Sequence, residues 1–285
     1  MSYLSTGRDL LSFTLSDEPW EERRAAVIVA DPDFDWRPGG TRVSSRRANI
    51  SAAGRVLPLP IDGSCATGPF IPLPYSGKEI SGVTDLLGQH PVTVTTCIDT
   101  AASERSLKQL PEPPWLLHLA THGFYCRDST MPHVSSMLRA LLGSGLALAG
   151  ANTRRSSASA SDSLGEDGIL TALEVSALNL LGTELTVLSA CESGIGTIVD
   201  GEGVFGLRRA FHHAGSRSVL MNLWRAPDRP SAQLILRFYE HWLSGLGKRD
   251  ALRAATLETL NELRATRGTA HPMLWGGFIL AGDPN

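Results

Sequence analysis

The chain reads as an α/β protein built on a mostly parallel sheet. Two observations predict this. Short apolar runs closed by turn signals alternate with segments of helical spacing from Ala25 to the last residues. Two of those runs, Trp115 to Ala120 and Leu185 to Ala190, are nearly continuous in apolar residues, as strands buried on both faces are. Each leads into a reactive side chain, the first into Thr121-His122-Gly123 and the second into Cys191-Glu192-Ser193-Gly194. Ligands of parallel sheets bind at the carboxyl ends of the strands, where His122 and Cys191 both fall.

The elements follow in order. Ala25–Ala30, closed by Asp31-Pro32, is a buried strand. Residues 33–76 are rich in Arg, Gly, Ser and Pro without a period and form a long, partly mobile loop. Ile80, Val83, Leu86 and Leu87 place a helix over 77–87. The β-branched stretch Val92–Ile98 is a strand, and 101–110 is a helix stopped by Pro111-Glu112-Pro113-Pro114. After the His122 strand, a second flexible loop lies near 150–165, with the composition of a solvated linker. A helix over 170–181 leads to the Cys191 strand. A helix over 204–214, a strand over 218–224, helices over 231–246 and 250–263, and a short strand at Phe278–Ala281 complete the chain, without internal repeats.

Bulk properties remove several function classes. With 285 residues and 42% hydrophobic content the chain can bury a sizeable core. A net charge of -3 and low aromatic content give no electrostatic or stacking basis for contacting nucleic acid. The chain has no signal-peptide pattern and no apolar run of the ~20 residues that span a bilayer, so no membrane is expected. Cys65, Cys97, Cys126 and Cys191 form no C-x-x-C pair. They read as reduced thiols of a cytoplasmic protein, and no metal or cofactor is expected.

The two strand ends suggest nucleophilic chemistry. A free thiol is a minority thiolate at neutral pH, and an imidazole beside it can take the proton. His122 is the candidate base and Cys191 the candidate nucleophile. The backbone N–H groups of Gly123 and Cys191 are the candidate oxyanion donors. Taken singly, a Cys or His at a strand end is more often a packed or hydrogen-bonded core residue; their matched placement favours catalysis. His118 and His122 share the spacing of the zinc motif H-E-x-x-H but lack its glutamate, and on a strand they lie about 13 Å apart, so His118 reads as core. Gly201-Glu202-Gly203-Val204-Phe205-Gly206 matches the dinucleotide fingerprint, with Asp228 downstream. No strand runs into its first glycine, so it reads as a loop.

Ala120-Thr121-His122-Gly123, Ser189-Ala190-Cys191-Glu192-Ser193-Gly194, Gly201-Glu202-Gly203, Phe205 to Phe211, Asn222-Leu223-Trp224 and His271 to Phe278 followed by Gly282-Asp283-Pro284 together resemble the CHAT domain. The resemblance runs from about Ser2 to Pro284. It implies a caspase-like three-layer α/β sandwich and a cysteine endopeptidase related to separases, a family often fused to TPR repeats. It matches His122 and Cys191 to the catalytic pair. It implies that Asp228, with Trp224, lines the pocket for a basic P1 side chain, although Arg225 and Pro227 depart from the usual pattern. Asp228 also reads as the N-cap of the helix that it opens. By the same resemblance the chain is one CHAT domain over 1–285 that lacks its N-terminal part, with a protein substrate, a regulatory or TPR-type partner and a setting in bacterial defence or regulated cell death. A catalytically silent CHAT module acting as a protein-binding scaffold is the alternative. Arg154-Arg155 is a candidate self-processing site.

Overall fold

A computed structural model of the chain describes residues 2–3, 24–37, 69–126, 135–153, 166–190, 197–199, 203–224 and 226–285. Its centre is a seven-stranded sheet of β1 (Ser2–Tyr3), β2 (Arg24–Pro32), β3 (Val92–Asp99), β4 (Leu116–Ala120), β8 (Leu185–Ser189), β11 (Ser218–Asn222) and β12 (Phe278–Gly282). The spatial order is β3-β2-β4-β8-β11-β12-β1. The five strands from β3 to β11 are parallel, β12 runs antiparallel to β11, and β1 pairs parallel with β12. A three-stranded sheet, β5 (Gly123–Tyr125), β6 (Ser144–Ala147) and β7 (Ile169–Thr171), and a hairpin of β9 (Thr197–Val199) and β10 (Gly203–Phe205) lie apart from it in the strand pairing.

The period-two alternation of side chains splits the central sheet into two faces. Ala26, Ile28, Leu116, Leu185, Val187 and Leu220 point to one side. There they meet Ile80 and Val83 of α1 (Ser76–Leu87), Leu234, Phe238 and Tyr239 of α6 (Asp228–Leu243), and Ala251 and Ala255 of α7 (Lys248–Arg267). Val27, Val29, Leu117, Leu119 and Leu188 point to the other. Their partners include Leu107 of α2 (Glu104–Lys108), Val175 of α4 (Ala172–Val175), and Leu207 and Phe211 of α5 (Leu207–Ala214). A short α3 (Ser136–Leu142) precedes β6. Each large aliphatic side chain buried this way contributes about 1.5–3 kcal/mol relative to exposure. The result is three layers with apolar contact on both faces of the sheet, which is why its strands read as continuous apolar runs.

The structure revises several boundaries. The helix expected over 170–181 is strand β7 followed by the single turn of α4. Thr171 and Glu174 form a reciprocal capping box, which fixes Thr171 in extended backbone and starts the helix only at Ala172. The helix expected from Val204 begins at Leu207, because Gly203–Phe205 pair antiparallel with Thr197–Val199. Gly203–Phe205 of the glycine-rich stretch are therefore a strand leading into a helix, rather than a loop, while Gly201 and Glu202 lie outside the described residues. The 101–110 helix shortens to α2, capped by Ser103. The centres of the two long loops, 38–68 and 154–165, lie outside the described residues, and Arg154-Arg155 with them.

One buried carboxylate ties α2 to the start of β7 in the second sheet. Glu104, 1% exposed, accepts the Gly168 N–H at 2.7 Å and meets Lys108 Nζ at 2.5 Å. Burial pushes its carboxyl up to about 7, against the pull of Lys108.

Candidate active site

β4 and β8 are neighbours in the centre of the sheet, paired from Leu116 opposite Leu185 to Ala120 opposite Ser189. The two chains therefore leave the sheet level with each other. His122 lies two residues beyond Ala120, and Cys191 two residues beyond Ser189. Cys191 itself, with residues up to Gly196, lies outside the described residues, as does Arg225. The strand order reverses between β2 and β4, since β2 passes to β3 on one side and the chain returns to β4 on the other. His122 thus stands at a topological switch point, the crevice where ligands bind in open α/β sheets.

The His122 imidazole is half-buried against two phenyl rings, with centroids 5.4 Å from Phe34 and 5.6 Å from Phe70. Phe34 follows β2, and Phe70 belongs to the segment that leads into α1. His122 Nε2 lies 2.6 Å from the Ile71 carbonyl oxygen. A carbonyl only accepts, so Nε2 carries the proton and donates it. The His122 carbonyl accepts the Ala147 N–H at 2.9 Å, joining the histidine to β6.

Gly123 opens β5 opposite Leu146. The flanking bonds, Ala147 N–H to His122 O and Cys126 N–H to Gly143 O, make Gly123–Leu146 a non-hydrogen-bonded pair of the ladder. The Gly123 N–H is therefore directed away from β6, at the edge of the second sheet.

Asp228 is the first residue of α6, and it does not cap that helix: Pro227 holds the N-cap position without a side-chain bond. Its carboxylate instead accepts the Tyr75 N–H at 2.8 Å and so caps the start of α1. Burial raises its pKa, the Tyr75 N–H opposes that rise, the Glu79 charge adds to it, and the His122 charge lowers it. Asp228 thus feels the field of the His122 imidazole. Trp224 sits just past β11, its Nε1 donating to Met273 O at 3.2 Å and its ring packed along Gly276 and Gly277.

Beneath these residues lies a polar chain that the sequence reading did not anticipate. His118, fully buried in β4, hydrogen-bonds Tyr239 Oη through Nδ1 at 3.0 Å. Its Nε2 lies 3.2 Å from Glu79 Oε1, and Glu79 Oε2 accepts the Ser189 hydroxyl at 3.0 Å. Burial, with the Glu79 charge behind it, raises the Tyr239 hydroxyl well above its usual value. The available signal was Glu79 itself, a carboxylate spaced with Ile80, Val83 and Leu87 on the buried face of α1.

The CHAT domain family model matches residues 1–283. The chain belongs to the CHAT domain family. Two curated relatives are similar to it: tetratricopeptide repeat protein 28 of Homo sapiens, 28% identical over 222 residues, and that of Mus musculus, 32% identical over 115 residues. These alignments cover 74% and 40% of this CHAT chain but only 8% and 4% of the relatives, so the chain corresponds to a small part of them. Among solved structures, the Arg-specific cysteine proteinase gingipain R superposes with a TM-score of 0.51 at 10% identity, covering 92% of this chain and 46% of that one. The CHAT chain thus has the caspase-like three-layer α/β sandwich with a mostly parallel central sheet. Among the described residues, no helix of this CHAT domain is long and apolar enough to cross a membrane.

Proposed function

We propose that this CHAT domain is a cysteine endopeptidase that cleaves a protein partner, with Cys191 as nucleophile and His122 as base. The observation that carries the reading is the β4–β8 register, which brings the chains leading to His122 and Cys191 out of the sheet side by side. Because Nε2 holds its proton against Ile71 O, Nδ1 is the basic atom of the neutral ring. Nδ1 takes the thiol proton, and the thiolate adds to the scissile carbonyl carbon. The oxyanion is held by the Gly123 and Cys191 N–H groups; such a donor is typically worth about 3–4 kcal/mol in the transition state. The imidazolium returns the proton to the departing amine as the C–N bond breaks. Water, deprotonated by the same ring, then releases the acid from the thioester.

Asp228 and Trp224 are assigned to the substrate pocket. In this reading the half-buried carboxylate favours a basic P1 side chain, and the indole forms a wall. The name of the mammalian relatives supports a repeat-type protein as the regulatory partner. The setting in bacterial defence rests on the family resemblance alone.

Incubation with a peptidyl chloromethyl ketone bearing arginine at P1 tests the central claim. Mass spectrometry should find Cys191 alkylated, His122→Ala should slow that labelling at least tenfold, and Cys191→Ala should abolish cleavage of a partner. An intact parent that leaves Cys191 unmodified over hours would favour the silent scaffold.

A further inference from the structure

The carbonyl that orients His122 belongs to a segment with an unusual construction. Pro69 to Tyr75 has proline at positions 69, 72 and 74, which fixes φ at three of seven residues and removes their N–H donors. This strap is fastened at both ends by side chains remote in sequence. At one end, Asn152 Oδ1 accepts the Phe70 N–H at 2.8 Å while Asn152 Nδ2 donates to Phe70 O at 2.9 Å. At the other, Asp228 accepts the Tyr75 N–H. The Ile71 side chain is 56% exposed, so packing does little to hold the carbonyl that it carries. The position of Ile71 O follows from Phe70, one residue away, whose backbone donor and acceptor are both held by a single amide.

Asn152 is itself tied to the other residue whose ring meets the imidazole. Its N–H donates to Phe34 O at 2.9 Å, and Nδ2 also donates to Asp35 Oδ1 at 3.0 Å. The partners fix the amide orientation, since Oδ1 faces a donor and Nδ2 faces two acceptors. Phe34 and Phe70, the two rings against His122, are thereby joined through one residue, Phe70 by the Asn152 side chain and Phe34 by its backbone N–H, with their own centroids 5.8 Å apart.

We infer that Asn152 is a positioning residue for His122, acting through the clamped strap Pro69–Tyr75 and its Ile71 carbonyl. The role of the strap in turnover rests on the reading of His122 as the base; the geometry of the clamp does not. Loss of the clamp frees Phe70, lets Ile71 O leave Nε2, and removes that constraint on the ring. A displacement of ~1 Å of a catalytic group can cost about 100-fold in rate.

The test is NMR of the imidazole Nε2–H in the full chain, assigned by its absence in His122→Ala, for the parent, Asn152→Ala and Asn152→Asp. The aspartate is isosteric but turns the Nδ2 donor into an acceptor facing Phe70 O and Asp35. The parent should show a downfield Nε2–H resonance protected from exchange with water. Both variants should lose it while keeping the parent's far-UV circular dichroism, and where the parent cleaves peptide their kcat should fall at least tenfold with KM nearly unchanged. A resonance that persists in both variants, or a parent with no protected Nε2–H, overturns the inference. A merely structural asparagine would lower the unfolding temperature and leave the resonance in place. If the resonance is lost as expected but no form of the chain cleaves peptide or labels at Cys191, the clamp stands and the peptidase reading falls.

Discussion

Glu79 of α1 and Ser189 at the end of β8 are joined by a 3.0 Å hydrogen bond in which the serine hydroxyl donates to Oε2. The bond ties a buried carboxylate to the strand that runs, two residues later, into Cys191. The other oxygen of Glu79 faces His118 on the adjacent strand. One acidic side chain thus lies under both strands that lead to the candidate dyad.

Glu79→Ala should therefore be costly. It leaves the Ser189 hydroxyl without its acceptor, removes the carboxylate that faces His118 Nε2 in an apolar layer, and opens a cavity. A loss of about 3–5 kcal/mol in urea unfolding is expected. Ser189→Ala removes one neutral-to-charged bond and should cost about 1–3 kcal/mol. A Glu79→Ala loss below that of Ser189→Ala would show that the carboxylate does not bridge the two strands.

Glu104 gives a pH dependence of definite sign. Its carboxyl is held up to about 7, above the ordinary 4.5, so the folded state binds the proton more tightly than the unfolded chain. The group's contribution to stability is greatest below 4.5 and falls as pH rises toward about 7. Glu104→Gln keeps an acceptor for the Gly168 N–H and removes the titration. The unfolding free energy of the variant relative to the parent should then rise by about 2–3 kcal/mol between pH 4.5 and 7.5. A difference that stays flat over that range would contradict the assignment.

Gly277 is close to Asn222 and Trp224. A Cβ built there would fall 2.1 Å from Asn222 Oδ1 and 3.1 Å from the Trp224 ring. Gly277→Ala must displace the indole or the β11 end, at a cost of about 1–3 kcal/mol. The tryptophan emission should change relative to the parent, and a Trp224→Phe background should suppress that change.

Asp228→Asn separates two roles of one side chain. The amide oxygen can still accept the Tyr75 N–H, so the strap remains fastened, but the charge is gone. The ratio of kcat/KM for arginine over glutamine at P1 should fall at least tenfold. In the parent, the same ratio should decline on acidification at a higher pH than for an ordinary aspartate, because the Asp228 pKa is raised by burial. An unchanged ratio in the variant would remove Asp228 from specificity and leave it as a cap.

The central strands were legible because both of their faces are buried, which writes them as apolar runs; α1, α6 and α7 were legible from their spacing. The sheet β5-β6-β7 was not, since strands of three or four residues set no period and Gly123 and Gly145 carry no β-propensity. The stretch 170–181 has leucines at helical intervals, but Leu178 and Leu180 are buried from irregular backbone once the Thr171 box has confined α4 to one turn. At the site, the level ends of β4 and β8, the strands that lead to His122 and Cys191, could be read from two apolar runs. The strap could not, because its composition is that of a loop and its fasteners lie 82 and 153 residues away. Asp228 shows the same limit: the sequence offers a cap for its own helix, and the fold uses it for another.

The strand order has a consequence for the chain as it is made. After β2 and β3 have paired, β4 joins the free edge of β2, and β8, β11 and β12 follow outward in turn, so a sheet emerging from the ribosome can grow by successive docking onto a finished edge. Ser2–Tyr3 is the exception, waiting for Leu280–Ala281, almost the full length of the chain away. The Tyr75 fastener likewise waits for Asp228. A nascent polypeptide that has already exposed His122 and Cys191 therefore still lacks one end of the strap, and the site is assembled only after α6 has been synthesised and packed.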